Sequence, residues 1–508
     1  MRGMATFLGL DVGTQSVKAL LFEPGRGVVA RASQPLSSIA GLPLGHSEQA
    51  PEDWLEALRI ACRSVVRQAA APAGALAAIG VSGQQHGLVV LDRDGAVIRP
   101  AMLWNDTRCA AQCAAITADL GGPARMVATL GIAQLPPGFT AGKIRWLAEH
   151  EPANFARAAR VLLPHDFANR WLTGNDAMEA GDASGTGLLD VTARCFSAAA
   201  CDATAPGLLD LLPPLVAPGE PVGHLRSALA DELGLPAGLL VSHGGGDNMM
   251  AAVGAGAVEP GCAVMSLGTS GTVFAYSAEP VCDPDGEIAA FCDSSGAWLP
   301  LGCTMNATVV GNAMRSLSGL GQQDFEGLVA SAAPGAAGVL GLPFLTGERS
   351  PDAPDASGGF LGLRPDNLTA ANLARAAIEG ATFALCRLLD RLVELGPAVD
   401  ELRLTGGGSH SASWRAIVAA AAGRPLRVGI DPDAAALGAA IHAQWTWRRA
   451  QGDRELTLAA LRRELALDAA TVMIEPAPET VELYRHRRAA WQAAVDALLP
   501  VFPAIRSR

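Results

Sequence analysis

Two short stretches half a chain apart share one pattern, and that echo limits the fold more than any other feature of the sequence. Residues 7–10 are apolar, Asp11, Gly13 and Thr14 follow, and residues 17–22 are apolar again apart from Lys18. Residues 263–267 lead in the same way into Gly268, Thr269, Ser270 and Gly271, and residues 272–276 resume the apolar run. Each reads as a β-hairpin with glycine at its tip. A repeat at about half of the 508-residue length predicts a duplicated, two-domain chain, and the length suits two large domains.

Between the echoes, strand-like and helix-like segments alternate, which predicts an α/β fold. Residues 79–82 and 87–91 read as strands, and residues 109–118 and 143–150 as amphipathic helices. In the second half, residues 372–395 form a long helical pattern with only Gly380 inside it. A strand at 402–405, a helix at 413–422 and an Ala-rich helix at 433–450 complete it. Gly, Ala and Pro cluster at 254–261, so the expected domains are 1–254 and 255–508, with a helical tail from about Thr457.

A net charge of −12 argues against binding nucleic acid through a general basic field, so a small molecule is the expected partner. No apolar run is long enough for a transmembrane helix, and no membrane association is expected. Residues 1–10 carry one Arg and run straight into a strand-like stretch, without the features of a signal peptide, so the cytoplasm is the expected compartment. Ten cysteines are too few for a disulfide scaffold. Cys109 and Cys113 are four apart, but no His stands near them, and reduced structural thiols are expected. A homodimer is an open possibility on which the sequence is silent.

The first tip presents Asp11, Gly13, Thr14, Ser16 and Lys18. Glycine lets backbone approach a phosphate, hydroxyls donate to its oxygens, and a carboxylate at a strand end can hold Mg²⁺ through water. A plain turn also favours Asp, Gly and Thr, but two such loops in one chain weaken that reading. Gly244-Gly245-Gly246-Asp247-Asn248 follows a short apolar run. Asp247 is there either a helix cap or a base that accepts a hydroxyl proton during phosphoryl transfer. Gly406-Gly407-Gly408-Ser409 offers bare backbone to a nucleotide's adenosine. Gln84-Gln85-His86-Gly87 and Trp104-Asn105-Asp106 end apolar strands with amides, an imidazole and an indole, the groups that bind sugars. The chain has only two lysines, Lys18 and Lys143, which marks them as places that need a compact ammonium.

In this order the segments resemble the FGGY carbohydrate kinases, of the actin-like sugar kinase and heat-shock ATPase superfamily, over about residues 6–445. Gly138, Thr140, Lys143, Trp146, Glu149 and His150 fit one family signature. Gly358, Phe360, Gly362, Leu363, Asn372, Leu373, Ala376, Ala377 and Glu379 fit the other. The resemblance implies two actin-like (ribonuclease H-like) domains around a central cleft, with sugar held mainly by the first and ATP by the second. It implies Mg²⁺ at Asp11 and Asp247, phosphates at Gly13, Thr14, Lys18, Gly268, Thr269 and Ser270, adenosine at Gly406, Gly407 and Gly408, and Asp247 as catalytic base. Gln85, His86, Trp104, Asn105, Asp247 and Asn248 would hold the sugar. The Gln84 and Trp104 segments resemble members acting on D-xylulose, although many of those carry Met where this chain has Gln85. Another ketopentose or a pentitol, such as D-ribulose or D-arabinitol, is the alternative substrate. A non-catalytic sugar- or nucleotide-binding regulator is a more remote reading, against which intact Asp11, Lys18 and Asp247 weigh.

Overall fold

A computed structural model describes residues 5–68 and 76–506. Residues 1–4, part of the stretch read as lacking a signal peptide, lie outside the described residues. Each hairpin expected from the sequence anchors a mixed sheet. The first sheet runs Pro221–His224, Leu240–Ser242, Leu76–Gly83, Thr6–Val12, Ser16–Glu23, Gly27–Pro35. The second runs Val472–Ile474, Leu426–Val428, Val399–Thr405, Gly261–Leu267, Gly271–Ala275, Leu301–Thr304, with Ile288–Ala289 beyond. Over those first six strands the pairing senses agree one for one: antiparallel, parallel, parallel, antiparallel, antiparallel. The duplication therefore extends from the hairpins to the whole sheet, in an α/β fold of two actin-like halves.

Thr6–Val12 is buried at every position, which explains why it reads as a continuous apolar run rather than an alternating one. The helix Pro51–Gln68 connects Gly27–Pro35 to Leu76–Gly83 across one face, and Ala370–Glu394 bridges the corresponding strands of the second half. The other face of the first sheet is covered by Ala434–Ala450, a helix from the second half of the chain. Its approach is very close: a Cβ on Gly9 would lie 1.9 Å from Ala436 O, and one on Gly80 2.0 Å from Ala439 O. The same helix crosses Asp247–Ala255, where a Cβ on Gly438 would lie 1.8 Å from Met250 O and one on Gly254 1.9 Å from Ala434 O. Small residues were legible here as helix formers; the structure uses them to let backbones touch.

The tail is not wholly helical. Val472–Ile474 adds an antiparallel edge strand to the second sheet, too short to leave a periodic signature, before the helix Pro478–Leu498 packs on Ala412–Ala422. Among the described residues no helix is long and apolar enough to cross a membrane.

Candidate active site

Parallel strands present their carboxyl ends along one edge, where open α/β sheets bind ligands. In the first sheet Asp11 lies beside Ser82 and Ser82 beside Gly245; Val12, Gly83 and Gly246 make the next row. Asp247 follows as the first residue of Asp247–Ala255. Register alone thus brings Asp11 and Asp247 to one edge. The cap position belongs to Gly246, so Asp247 is one residue past the usual capping carboxylate. Gly246 cannot carry a side chain, since a Cβ would lie 2.7 Å from Gln85 Cγ and 2.9 Å from Asp182 Oδ1.

Asp247 keeps part of its surface open but is ringed by protein, and burial, with the charges of Asp11 and Asp182 behind it, lifts its carboxyl to about 8. Asp11 is also raised by burial, against the lowering pull of Lys18 and of the Ser82 hydroxyl, which donates to Asp11 Oδ1 at 2.8 Å. Among the described residues no three His, Cys, Asp or Glu side chains gather as metal ligands. Asp11 and Asp247 still fit Mg²⁺, which binds through one or two carboxylates and completes its octahedron with phosphate and water.

Thr14 joins the first hairpin tip to the Gln84 and Trp104 segments: its hydroxyl donates to Gln84 Oε1 at 2.9 Å and accepts from Trp104 Nε1 at 3.0 Å. Gly13 closes the tip through its amide, which donates to Ser16 O. Lys18 forms an ion pair of 3.1 Å with Asp433, at the start of Ala434–Ala450, so here it ties the halves together. Asn105 is exposed on the turn after Trp104. Lys143 is buried and donates to His86 O at 2.7 Å, fixing the 84–87 loop from behind, with its pKa lowered to about 7 by burial.

His86 takes a positive φ and stacks on Phe139 at 4.3 Å. Its Nδ1 lies 2.7 Å from Gly185 O, a partner that can only accept, so Nδ1 carries the proton and Nε2 is the acceptor. Burial lowers the imidazole pKa to about 3, and it stays neutral. Thr272 of the second half donates to Asn248 Oδ1, Asn248 Nδ2 donates to Gln85 Oε1 at 2.8 Å, and the amide of Gln85 is thereby oriented. Gln85 Nε2 keeps its donors free among the described residues.

The second half supplies the other wall. Gly268 O and Thr269 O accept from the amides of Thr308 and Ala307, which braces the 268–271 tip, Ser270 included, from outside. Gly406 has φ +83°, and a Cβ there would lie 2.6 Å from Leu267 O. Gly407 and Gly408 line a cavity of about 360 Å³ with Phe325, Ile378 and Trp414. A larger concavity of about 770 Å³ lies elsewhere, around Asp119 and Arg145, and none of the site residues lines it.

Sequence reasoning missed the layer behind the site. His165 Nδ1 lies 2.6 Å from Asp182 Oδ2 and Nε2 lies 3.2 Å from Asp166 Oδ1. Burial opposes the imidazolium, but Asp166, Asp182 and Glu179 outweigh it and raise the pKa to about 9. Phe291 of the second half leans on both His86 and Phe139. His165 and Asp166 stand in the amphipathic helix Pro164–Thr173 and Asp182 in the Gly-containing 180–187 stretch, but neither pattern marks these side chains as partners of one another.

Residues 6–254 match the N-terminal domain of the FGGY family of carbohydrate kinases, and residues 263–447 match its C-terminal domain. Xylulose kinase of Haemophilus influenzae is 37% identical over 457 residues, covering 89% of this chain and 92% of the relative. Xylulose kinase of Escherichia coli is 35% identical over 505 residues, covering 97% and 99%. The crystal structure of xylulose kinase from Rhodospirillum rubrum superposes with a TM-score of 0.86 at 28% identity, covering 98% of this chain and 99% of that one. With both domains matched in order over two halves built on one sheet plan, this chain belongs to the FGGY family of carbohydrate kinases.

Proposed function

We propose that the chain transfers the terminal phosphoryl group of ATP to the 5-hydroxyl of D-xylulose. The observation that carries this is the meeting of Asp11 and Asp247 at one sheet edge, on either side of the end of Leu76–Gly83, beside a Gln85–Asn248–Thr272 hydrogen-bond chain that spans both halves. The xylulose kinase relatives favour this substrate. Residues 1–254 are assigned to sugar and residues 255–508 to nucleotide.

His86 Nε2 accepts a sugar hydroxyl, Gln85 Nε2 donates to a sugar oxygen, and the Trp104 indole, with the turn at Asn105, borders the sugar's carbon face. Gly13, Thr14 and the 268–271 tip line the phosphate path, and Gly407 and Gly408 lie against adenosine. Lys18 reaches phosphate only by leaving Asp433. Asp11 and Asp247 would hold Mg²⁺, which when bound would neutralise phosphate charge. Asp247 orients the attacking hydroxyl: the sugar oxygen bonds to phosphorus, the bond to the ADP oxygen breaks, and the hydroxyl proton passes to the Asp247 carboxylate. Closure of the halves keeps water from competing as acceptor.

A coupled assay of ADP release across D-xylulose, D-ribulose and D-arabinitol tests the proposal. D-xylulose is expected to lead by ~10-fold or more in kcat/KM, a margin that differential hydroxyl recognition readily supplies. A different sugar in the lead would replace the substrate, and ATP hydrolysis indifferent to sugar would remove the kinase reading.

A further inference from the structure

Resting on the proposed sugar phosphorylation, we propose that Arg349 is a catalytic residue: its guanidinium, carried by the second half, meets the phosphoryl group as it passes from the 268–271 tip to the sugar at His86. The turn that presents it is closed by two backbone hydrogen bonds between Glu348 and Ala353. Glu348 is buried, and its carboxylate accepts from Thr304 Oγ1 at 2.5 Å, Met305 N at 2.9 Å, Asn306 Nδ2 at 3.1 Å and Arg349 N at 2.7 Å. Those bonds fasten the turn to the end of Leu301–Thr304. Thr304 is the register partner of Gly271, and the amides of Ala307 and Thr308 hold the same phosphate tip. Arg349 and the tip therefore share one rigid support.

The segment leading into this support also reaches the sugar loop. Phe291, whose carbonyl accepts from Leu299 N just before Leu301–Thr304, lies 6.2 Å from the His86 ring. The positive charge of Arg349 is felt at His86, adding to burial and Lys143 in keeping that ring neutral, and it is felt at Cys303 in the supporting strand. The turn of Arg349 is thus fastened to the strand that holds the phosphate tip, and its charge reaches the sugar loop.

Arg349 is half-buried as a residue, yet its guanidinium makes no hydrogen bond or ion pair among the described residues. Arg375 pairs with Glu379, Arg403 with Asp468 and Arg391 with Asp283, whereas no acid lies within ion-pair distance of Arg349 among the described residues. The adjacent Glu348 spends both oxygens on other donors. A guanidinium with its donor fork free is suited to a planar or tetrahedral oxyanion, and the phosphoryl group is the anion this reaction moves past it. Asp11 and Asp247 on the facing edge are acidic, so a cation here balances charge where negative phosphate is handed across.

The test compares the full chain with Arg349→Met and Arg349→Lys, in steady-state kinetics and in calorimetric binding of ADP with and without aluminium fluoride in the presence of Mg²⁺. Arg349→Met is expected to lower kcat ~100-fold, as loss of one preorganised donor to transition-state charge does, with sugar KM changed less than ~3-fold. ADP alone should bind as before, while the tightening by aluminium fluoride, which mimics the phosphoryl group in transfer, is lost. Arg349→Lys should recover part of both. A methionine variant with kcat within ~3-fold of the parent and intact aluminium fluoride tightening overturns the assignment, as does a rise in sugar KM alone. If the parent phosphorylates no sugar, the proposed function fails by itself. The aluminium fluoride comparison then still decides Arg349: loss in the methionine variant upholds it and retention refutes it.

Discussion

At the first hairpin tip Asp11 lies across from Lys18, and at the second, in the same place on the same sheet plan, Ser266 lies across from Thr272. The neighbouring parallel strand contributes Ser82 to the first and Thr405 to the second. One backbone thus carries a charged tip and a neutral one. Under the proposed function the difference is what a divided site needs: a carboxylate where a cation and a hydroxyl would meet, and bare amides and hydroxyls where phosphate oxygens would lie. Carboxylates at both tips would repel the triphosphate from each side.

That comparison breaks first if the tips prove interchangeable. Asp11→Asn is expected to lower sugar-dependent ADP release by ~100-fold or more, and Ser266→Ala by less than ~3-fold, since only the first removes a charge from the reacting edge. Equal losses would mean that the charge asymmetry has no functional weight. Next in size is the backbone beside the second tip. Gly406→Ala forces a side chain into a left-handed conformation and against Leu267 O, and should cost about 2 kcal/mol in urea denaturation. Gly407→Ala, with open space around it, should leave stability unchanged and weaken nucleotide binding a few-fold by crowding the cavity. A stable Gly406→Ala would show that the second tip is not braced as described.

Smaller still is the link between halves. Asp433→Asn removes the acid that pairs with Lys18 and Arg31, both partly solvent-screened, so less than about 1 kcal/mol of stability should be lost. A rise in ATP affinity in the same variant would show Lys18 released toward phosphate. The smallest expectation is a flat profile. A group whose pKa is lowered to about 3 binds its proton only below that value, so the His86 imidazole stays in its accepting form from pH 5 to 9. Sugar KM should then show no titration near 6.5, the ordinary histidine value, that His86→Asn abolishes.

The sheet framework was legible because its signals are local: an apolar run, a Gly-containing tip, and the same run again. The residues at strand ends were legible for the same reason, since Asp11, Gly246, Asp247 and Gly406 stand where a strand pattern stops. What was not legible depends on long-range packing. His165 comes from the helix Pro164–Thr173 and Asp182 from the small-residue stretch Ala180–Ser184, and only the fold brings them together behind Gly246. Lys143 was marked by its rarity, but nothing local tells that it grips the carbonyl of His86 rather than a ligand. The Val472–Ile474 strand was hidden because three residues carry no alternation, and its partner Leu426–Val428 is remote in sequence.

The central claim is that a carboxylate of the first half, held near phosphates of the second, receives the proton of a sugar hydroxyl. Sugar-dependent ADP release by Asp247→Asn, which keeps the shape and removes the base, tests it most directly. A fall of ~1000-fold with ADP binding unchanged is the result expected for loss of a general base. Turnover within ~10-fold of the parent would contradict it, because that is less than a positioned base contributes.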